Sequence, residues 1–313
     1  MTLPFAFVFP GQGSQSVGML DAWGDHPAVR DTLAEASQAL GEDIAALIRT
    51  GPKDQLDLTT NTQPVMLTAA VAAYRAWRAE GGREPLAMAG HSLGEYSALV
   101  AAGALTLSEA LPLVRFRAQA MQQAVPVGEG AMAAILGLDA AAVRDGCAKA
   151  AAECGEPVEA ANFNDPKQTV IAGTKAAVDQ ACVVLKGMGA KRALPLAVSA
   201  PFHSSLMAPA AEQLRERLAS VPLRTPVIPV VNNIDVAAPA DPAQIRDALY
   251  RQAFGPVRWV EVVQALRARG AACIVECGPG KVLAGMVKRI DADAQSAAVH
   301  DPASLAETKG ILG

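Results

Sequence analysis

The chain has 313 residues, 51% of them hydrophobic and 19% charged, with a formal net charge of −4. That length predicts one large domain carrying a subdomain, and the apolar share provides for a sizeable core and excludes a disordered chain. The acidic balance, with no long Lys/Arg block, argues against nucleic-acid binding through a positive field.

Cys147, Cys154, Cys182, Cys273 and Cys277 are scattered and form no CxxC pair. Neither a disulfide framework nor a zinc site is expected from them. They read as small buried hydrophobes in a reducing cytoplasm. The first basic residue is Arg30, so the start lacks the charged region of a signal peptide. The uncharged stretch 193–211 is broken by Pro195, Pro201 and Pro209, which makes it a poor membrane span. The expectation is a cytoplasmic monomer without bound metal.

In chain order, Phe5 to Phe9 reads as a buried strand stopped by Pro10-Gly11. Residues 27–49 and 64–80 have helical apolar spacing. Leu86 to Gly90 is a second short strand, and Glu95 to Ala104 a helix. Thr106 and Glu109 form a capping-box pattern that opens a helix running to about Ala124. Ala131–Leu136, Val158–Phe163, Thr169–Ala172 and Arg192–Val198 read as strands, with helices over Ala140–Cys154 and Lys175–Met188. That order is βαββαβ, a ferredoxin-like arrangement. The expected fold is α/β, with residues 1–128 and 199–313 forming a large domain and residues 129–198 an inserted small subdomain. Val227–Val231 and Cys273–Glu276 are strand candidates, and helices are expected over 206–219, 242–254, 257–269 and 281–289. The last twenty or so residues give no clear signal.

Gly90-His91-Ser92-Leu93-Gly94 is a G-x-S-x-G nucleophile elbow between a predicted strand and a predicted helix, the context this motif requires. A serine nucleophile needs a base. Of four histidines, His91 adjoins Ser92 on a tight turn, His26 sits in a charged surface-like stretch and His300 in the tail. His203 remains, where the small subdomain rejoins the large domain, though a satisfied loop histidine would read the same way. No Asp or Glu stands out to orient its ring, a task a backbone carbonyl can perform. The N–H of Leu93 supplies one oxyanion donor, and the Gly11-Gln12-Gly13 loop is a candidate for the second. Arg115 and Arg117 point about 200° apart on their helix. Arg117 has Leu113, Val114, Ala120 and Met121 as helical neighbours, so its charge needs a partner. A substrate carboxylate fits its fork, and an internal salt bridge is the alternative.

Six segments in register resemble the malonyl-CoA:acyl-carrier-protein transacylase family. They are Phe7–Gln15 (FVFPGQGSQ), Gly90–Leu99 (GHSLGEYSAL), Val114–Arg117 (VRFR), Ala200–His203 (APFH), Val231–Asn233 (VNN) and Glu276–Lys281 (ECGPGK). The resemblance runs from residue 5 to about 290. It implies an α/β-hydrolase-like large domain with a ferredoxin-like insert, Ser92 as acylated nucleophile, and His203 as general base. It further implies Gln12 and Leu93 as oxyanion donors, Arg117 on the malonyl carboxylate, and Gln252 offering its main-chain carbonyl to the histidine. His91 and Phe202 fall on the substrate side, with the Phe202 ring placed to crowd an α-methyl branch. Gly255 stands where many members carry Asn. The implied reaction is ping-pong, from malonyl-CoA to the phosphopantetheine of an acidic acyl carrier protein bound transiently, with Lys281, Lys288 and Arg289 as docking charges and no bound cofactor. A serine esterase or thioesterase, a polyketide-pathway acyltransferase and a non-catalytic carrier-binding module are the rivals. Nucleic-acid and membrane partners are not expected.

Overall fold

A computed structural model describes residues 2–313. Among them are nine strands: β1 (Phe5–Phe9), β2 (Ala87–Gly90), β3 (Gly130–Leu136), β4 (Val158–Asp165), β5 (Gln168–Thr174), β6 (Arg192–Pro195), β7 (Val230–Val231), β8 (Cys273–Cys277) and β9 (Gln295–Val299). The large sheet has the order β7-β2-β1-β8-β9, and every pair in it is parallel.

The central strand β1 is buried at every position. It therefore carries an unbroken apolar run rather than an alternating one, as strands covered on both faces do. The period of two still sorts its side chains. Phe5, Phe7 and Phe9 face the helix Thr59–Ala79, where Phe7 meets the Trp77 ring edge-on at 5.4 Å between centroids. Ala6 and Val8 face the helices Trp259–Ala268 and Val282–Ile290 through Trp259, Val262, Val263 and Leu283. Register aligns Phe9 with Gly90 and Val8 with Glu276. The carboxyl ends of β1, β2 and β8 thus open on one edge, where parallel sheets bind ligands.

The second sheet is antiparallel, in the order β4-β5-β3-β6, with the helices Ala140–Cys154 and Lys175–Gly187 packed on one face. Its other face carries Met132, Ala134, Val170 and Ala172, packed against Val198 and Phe202. The architecture is the α/β arrangement read from the sequence, with the βαββαβ unit in place.

Several boundaries differ from that reading. The helix expected over 27–49 is two, Pro27–Leu40 and Ile44–Thr50, because Gly41 turns left-handed at φ 66° and Asp43 caps the second helix through the Ala46 N–H. The helix expected from residue 64 starts at Thr59, and Pro64 lies inside it. Strand β6 stops at Pro195, whose nitrogen cannot donate to a ladder. The final segment holds β9 and the helix Pro302–Leu312, which Asp301 caps by accepting from the Ser304 N–H. Exposed Gln295 followed by half-buried Ser296, Ala297 and Ala298 gives β9 no strand pattern to read. The Thr106–Glu109 capping box forms as expected.

Packing at the end of β2 is tight enough to test. A β-carbon on Gly90 would fall 1.8 Å from the Gly94 carbonyl carbon, while one on Gly310 would meet nothing within 4 Å. Gly90→Ala is expected to cost about 3 kcal/mol through overpacking, and Gly310→Ala to gain about 0.5–1 kcal/mol by rigidifying a helix. Urea denaturation midpoints check both, and equal midpoints would contradict the packing argument.

Candidate active site

Ser92 sits in the turn between β2 and the helix Gly94–Ala101, in the left-handed region at φ 52°. For a non-glycine residue this costs about 1–2 kcal/mol, so the surroundings must hold it. Asn233, just after β7, does so with three bonds. Its Oδ1 accepts from the Ser92 N–H at 2.7 Å, its Nδ2 donates to the Gly90 carbonyl at 2.7 Å, and its own N–H donates to Glu95 Oε2 at 2.9 Å. Gly94 packs where a β-carbon would lie 2.1 Å from the Phe9 carbonyl oxygen, so β1 and the elbow touch through backbone.

The structure brings His203 to the serine, with Ser92 Oγ 2.6 Å from His203 Nε2. His203 is itself left-handed at φ 61° and 4% exposed. Its Nδ1 lies 2.9 Å from the Gln252 carbonyl and 3.2 Å from the Gly255 carbonyl. Carbonyl oxygens only accept, so Nδ1 carries the hydrogen and Nε2 is left to accept from the serine hydroxyl. Burial, reinforced by the Arg117 charge, pushes the imidazole pKa down from 6.5 to about 3. The ring is neutral across the physiological range. The main-chain oxygen at Gly255 joins that at Gln252, so the glycine found in place of Asn takes part through its backbone.

Arg117 is 2% exposed. Its Nη1 donates to Gln63 Oε1 at 2.8 Å, and its Nη2 lies 3.2 Å from both Ser92 Oγ and Gln252 Oε1. The guanidinium stands 5.5 Å from the Tyr96 ring centre. These hydrogen-bond partners are all neutral, and Nε has none. The internal salt bridge left open by the sequence is therefore not what holds Arg117. Arg115, two residues earlier, points away and pairs with Glu42 at 2.7 Å, as the helical geometry required.

The remaining candidates other than Gln252, which is buried behind the wall, line one cavity of about 600 Å³ together with Ser92, His203 and Arg117. Gln12 and Leu93 are on its wall, as are Phe202 and His91. His91 lies with Nε2 2.8 Å from Asn164 Oδ1 on β4, which ties the elbow to the small sheet. Met132, Val170, Leu196, Val198, Leu283 and Met286 make the cavity apolar beyond the polar cluster. Gln252 is the candidate that does most: besides its main-chain bond to His203, its Nε2 donates to the Ser92 carbonyl at 3.0 Å and to Glu95 Oε2 at 2.9 Å. Among the described residues no cluster of three or more His, Cys, Asp or Glu is placed to hold a metal. No helix among them is long and apolar enough to cross a membrane.

Sequence reasoning missed Glu95, Gln63 and Asn164, and gave Asn233 no role. Glu95 had a signal: it is the one charge in the apolar helix GEYSALVA, three residues after the nucleophile. It is 2% exposed, and burial pushes its pKa up to about 7 against the pull of its Gln252 and Asn233 donors and the Arg117 charge.

Comparison with known proteins first gives the class. The family described as the acyl transferase domain matches residues 6–304. The chain is 52% identical over 303 residues to the malonyl CoA-acyl carrier protein transacylase of Escherichia coli strain K12, covering 96% of this chain and 97% of that protein. A crystal structure of acyl-carrier-protein S-malonyltransferase from Burkholderia pseudomallei 1710b superposes with a TM-score of 0.96 at 65% identity, covering 98% of this chain and 99% of that one. A malonyl-transacylase in complex with a type II PKS acyl-carrier protein superposes at 0.95, with 49% identity over 97% and 98% of the two chains. The chain belongs to the malonyl-CoA:acyl-carrier-protein transacylase family of acyl transferases.

Two outcomes follow from the geometry. Asn233→Ala strands the Ser92 N–H and the Gly90 carbonyl, each costing about 1–3 kcal/mol where buried and unpaired, and chemical denaturation should show a loss of that size. Long-range proton–nitrogen spectra should find the His203 ring neutral and Nδ1-protonated from about pH 8 to about pH 5. Protonation near 6.5 would contradict the buried environment described.

Proposed function

We propose that the protein is a malonyl-CoA:acyl-carrier-protein S-malonyltransferase working through a Ser92 acyl-enzyme. The observation that carries this reading is Arg117: a buried cation without a carboxylate bonded to it, 3.2 Å from the Ser92 hydroxyl. An esterase has no use for such a charge beside its nucleophile. An acyl donor ending in a carboxylate does, because its two oxygens match the guanidinium fork.

His203 Nε2 takes the Ser92 proton as Oγ attacks the thioester carbonyl. The N–H groups of Leu93 and Gln12 receive the oxyanion, and no backbone partner occupies either N–H among the described residues. Collapse expels the CoA thiolate, which leaves with the proton held on His203. The carrier's phosphopantetheine thiol then gives its proton to Nε2 and attacks the ester. Ser92 Oγ recovers that proton as it departs. Both half-reactions use the same pair, which makes the kinetics ping-pong. The chain's own residues supply every proton transfer in this scheme. The apolar wall limits competing water, and the Phe202 ring narrows the space for a branch next to the thioester, a discrimination worth about 1–3 kcal/mol per methyl.

We also assign residues 129–198 to a small subdomain that roofs the cavity, with residues 1–128 and 199–313 forming its floor. The carrier fits the role of partner named for one of the solved relatives. Arg289 is engaged with Asp165 at 2.6 Å, while Lys281 and Lys288 are exposed for an acidic, transiently bound carrier.

Arg117→Ala is expected to reduce malonyl acylation by the cost of breaking one side of a buried charge pair, about 2–5 kcal/mol, or roughly 30- to 5,000-fold. Acetyl acylation should hold or rise. Intact-mass measurements with each CoA thioester read both, with Ser92→Ala as the blank. An equal loss on both donors would remove the carboxylate role. Adducts that persist in Ser92→Ala would remove the nucleophile.

A further inference from the structure

The proposed mechanism uses no acid beside His203, yet a buried carboxylate lies two hydrogen bonds from Arg117. Glu95 Oε2 accepts from Gln252 Nε2 at 2.9 Å, and Gln252 Oε1 in turn lies 3.2 Å from Arg117 Nη2. The second hydrogen on that Gln252 nitrogen goes to the Ser92 carbonyl at 3.0 Å. The Ser92 carbonyl has no hydrogen to give and the Arg117 guanidinium only donates, so the amide cannot flip: its nitrogen must face Ser92 and Glu95, and its oxygen must face Arg117. The same residue's main-chain carbonyl holds His203. Glu95 is itself immobilised by the Asn233 N–H at 2.9 Å.

We infer that Glu95 is a positioning residue for acyl transfer, which through Gln252 aims Arg117 at the substrate carboxylate and keeps His203 on the serine. The spacer matters as much as the carboxylate. A carboxylate bonded directly to Arg117 would occupy the fork that a malonyl group needs. Set behind an amide, Glu95 offsets the buried cation while the Ser92-facing side of the guanidinium, on the cavity wall, is left for a substrate. The Coulomb attraction of the pair is felt from both ends: the Arg117 charge pulls the Glu95 pKa down, and the Glu95 charge pulls that of Arg117 up. The inference rests on the acyl-enzyme reading and deepens it by naming what sets malonyl over uncharged donors.

The test compares Glu95→Ala, Glu95→Asp and Glu95→Gln with the wild type in single-turnover acylation by malonyl-CoA and by acetyl-CoA. Misplacing His203 slows both donors, but misplacing Arg117 slows only malonyl. Glu95→Ala is therefore expected to lower the malonyl-to-acetyl rate ratio by at least about tenfold. Glu95→Asp withdraws the acceptor by one methylene and should lower the ratio in the same direction, which keeps the test readable if the alanine variant does not fold. Glu95→Gln presents an amide oxygen to the same two donors and should recover most of the lost ratio. An unchanged ratio in both Glu95→Ala and Glu95→Asp, with the two rates falling in parallel, would overturn the inference and leave Glu95 a structural residue. Failure of the wild type to acylate at all would instead overturn the acyl-enzyme reading.

Discussion

The left-handed backbone at Ser92 is the constraint on which the site depends. A serine at φ 52° is uphill by about 1–2 kcal/mol, and the protein holds it there with several independent contacts. Asn233 bonds both sides of the turn. Gly90 and Gly94 let β2, the following helix and the end of β1 approach to backbone contact. The turn exposes Oγ at the carboxyl edge of the sheet and places Leu93 on the wall of the cavity beside it. Parallel pairing of β1 with β2 then sets the Gly11–Gln12 loop beside the elbow, because Phe9 is in register with Gly90 and the His91 N–H donates to the Phe9 carbonyl at 3.0 Å.

Around that turn lies a buried polar network whose members each do two jobs. Gln252 orients the histidine with its main chain and bridges Arg117 to Glu95 with its side chain. A buried guanidinium is costly unless its donors are satisfied, and here Nη1 and Nη2 are shared among Gln63, Gln252 and the serine itself while Nε has no partner. One consequence is electrostatic. Burial lowers the basicity of His203, and repulsion from the Arg117 charge lowers it further. A carboxylate placed against Arg117 would relieve that repulsion and raise the basicity of His203.

Much of this was legible in the sequence, for particular reasons. The elbow is local: glycine, serine and glycine at fixed spacing between a strand and a helix carry their own context. The βαββαβ unit showed in alternating periodicity over about seventy residues. Arg117 was separable from Arg115 by helical geometry alone. The misses are long-range or featureless. Asn233 lies more than a hundred residues from the serine it holds, and nothing local marks an amide that bonds across such a distance; Gln252 was reached only through the family resemblance, and its side-chain bonds to Ser92 and Glu95 were not foreseen. Strand β9 was lost because a half-buried edge strand of Gln295, Ser296 and two alanines lacks both alternation and β-branched residues before Val299. Gly41 was read as part of a helix because apolar spacing continues across it, and only its left-handed φ reveals the break.

The cavity also explains why the small subdomain is tied down rather than loosely linked. Four connections cross the seam: His91 with Asn164, Arg289 with Asp165, Glu159 with Ser205, and the backbone pairing of Phe163 and Ala161 with Val257. All four begin on β4, and all but Glu159 at residues in or beside its bulges. A bulge twists a strand and re-aims its side chains, and here it turns Asn162 and Asn164 to the cavity wall while Phe163 pairs outward with the large domain. β4 is the edge strand of its sheet, so its outward backbone groups are free of β5, and those at Ala161 and Phe163 pair with Val257 across the seam. The small sheet is thus held over Ser92 by main-chain bonds from β4, by the Arg289–Asp165 ion pair and by side-chain hydrogen bonds at His91 and Glu159, so that the walls of the cavity are tied to both sheets.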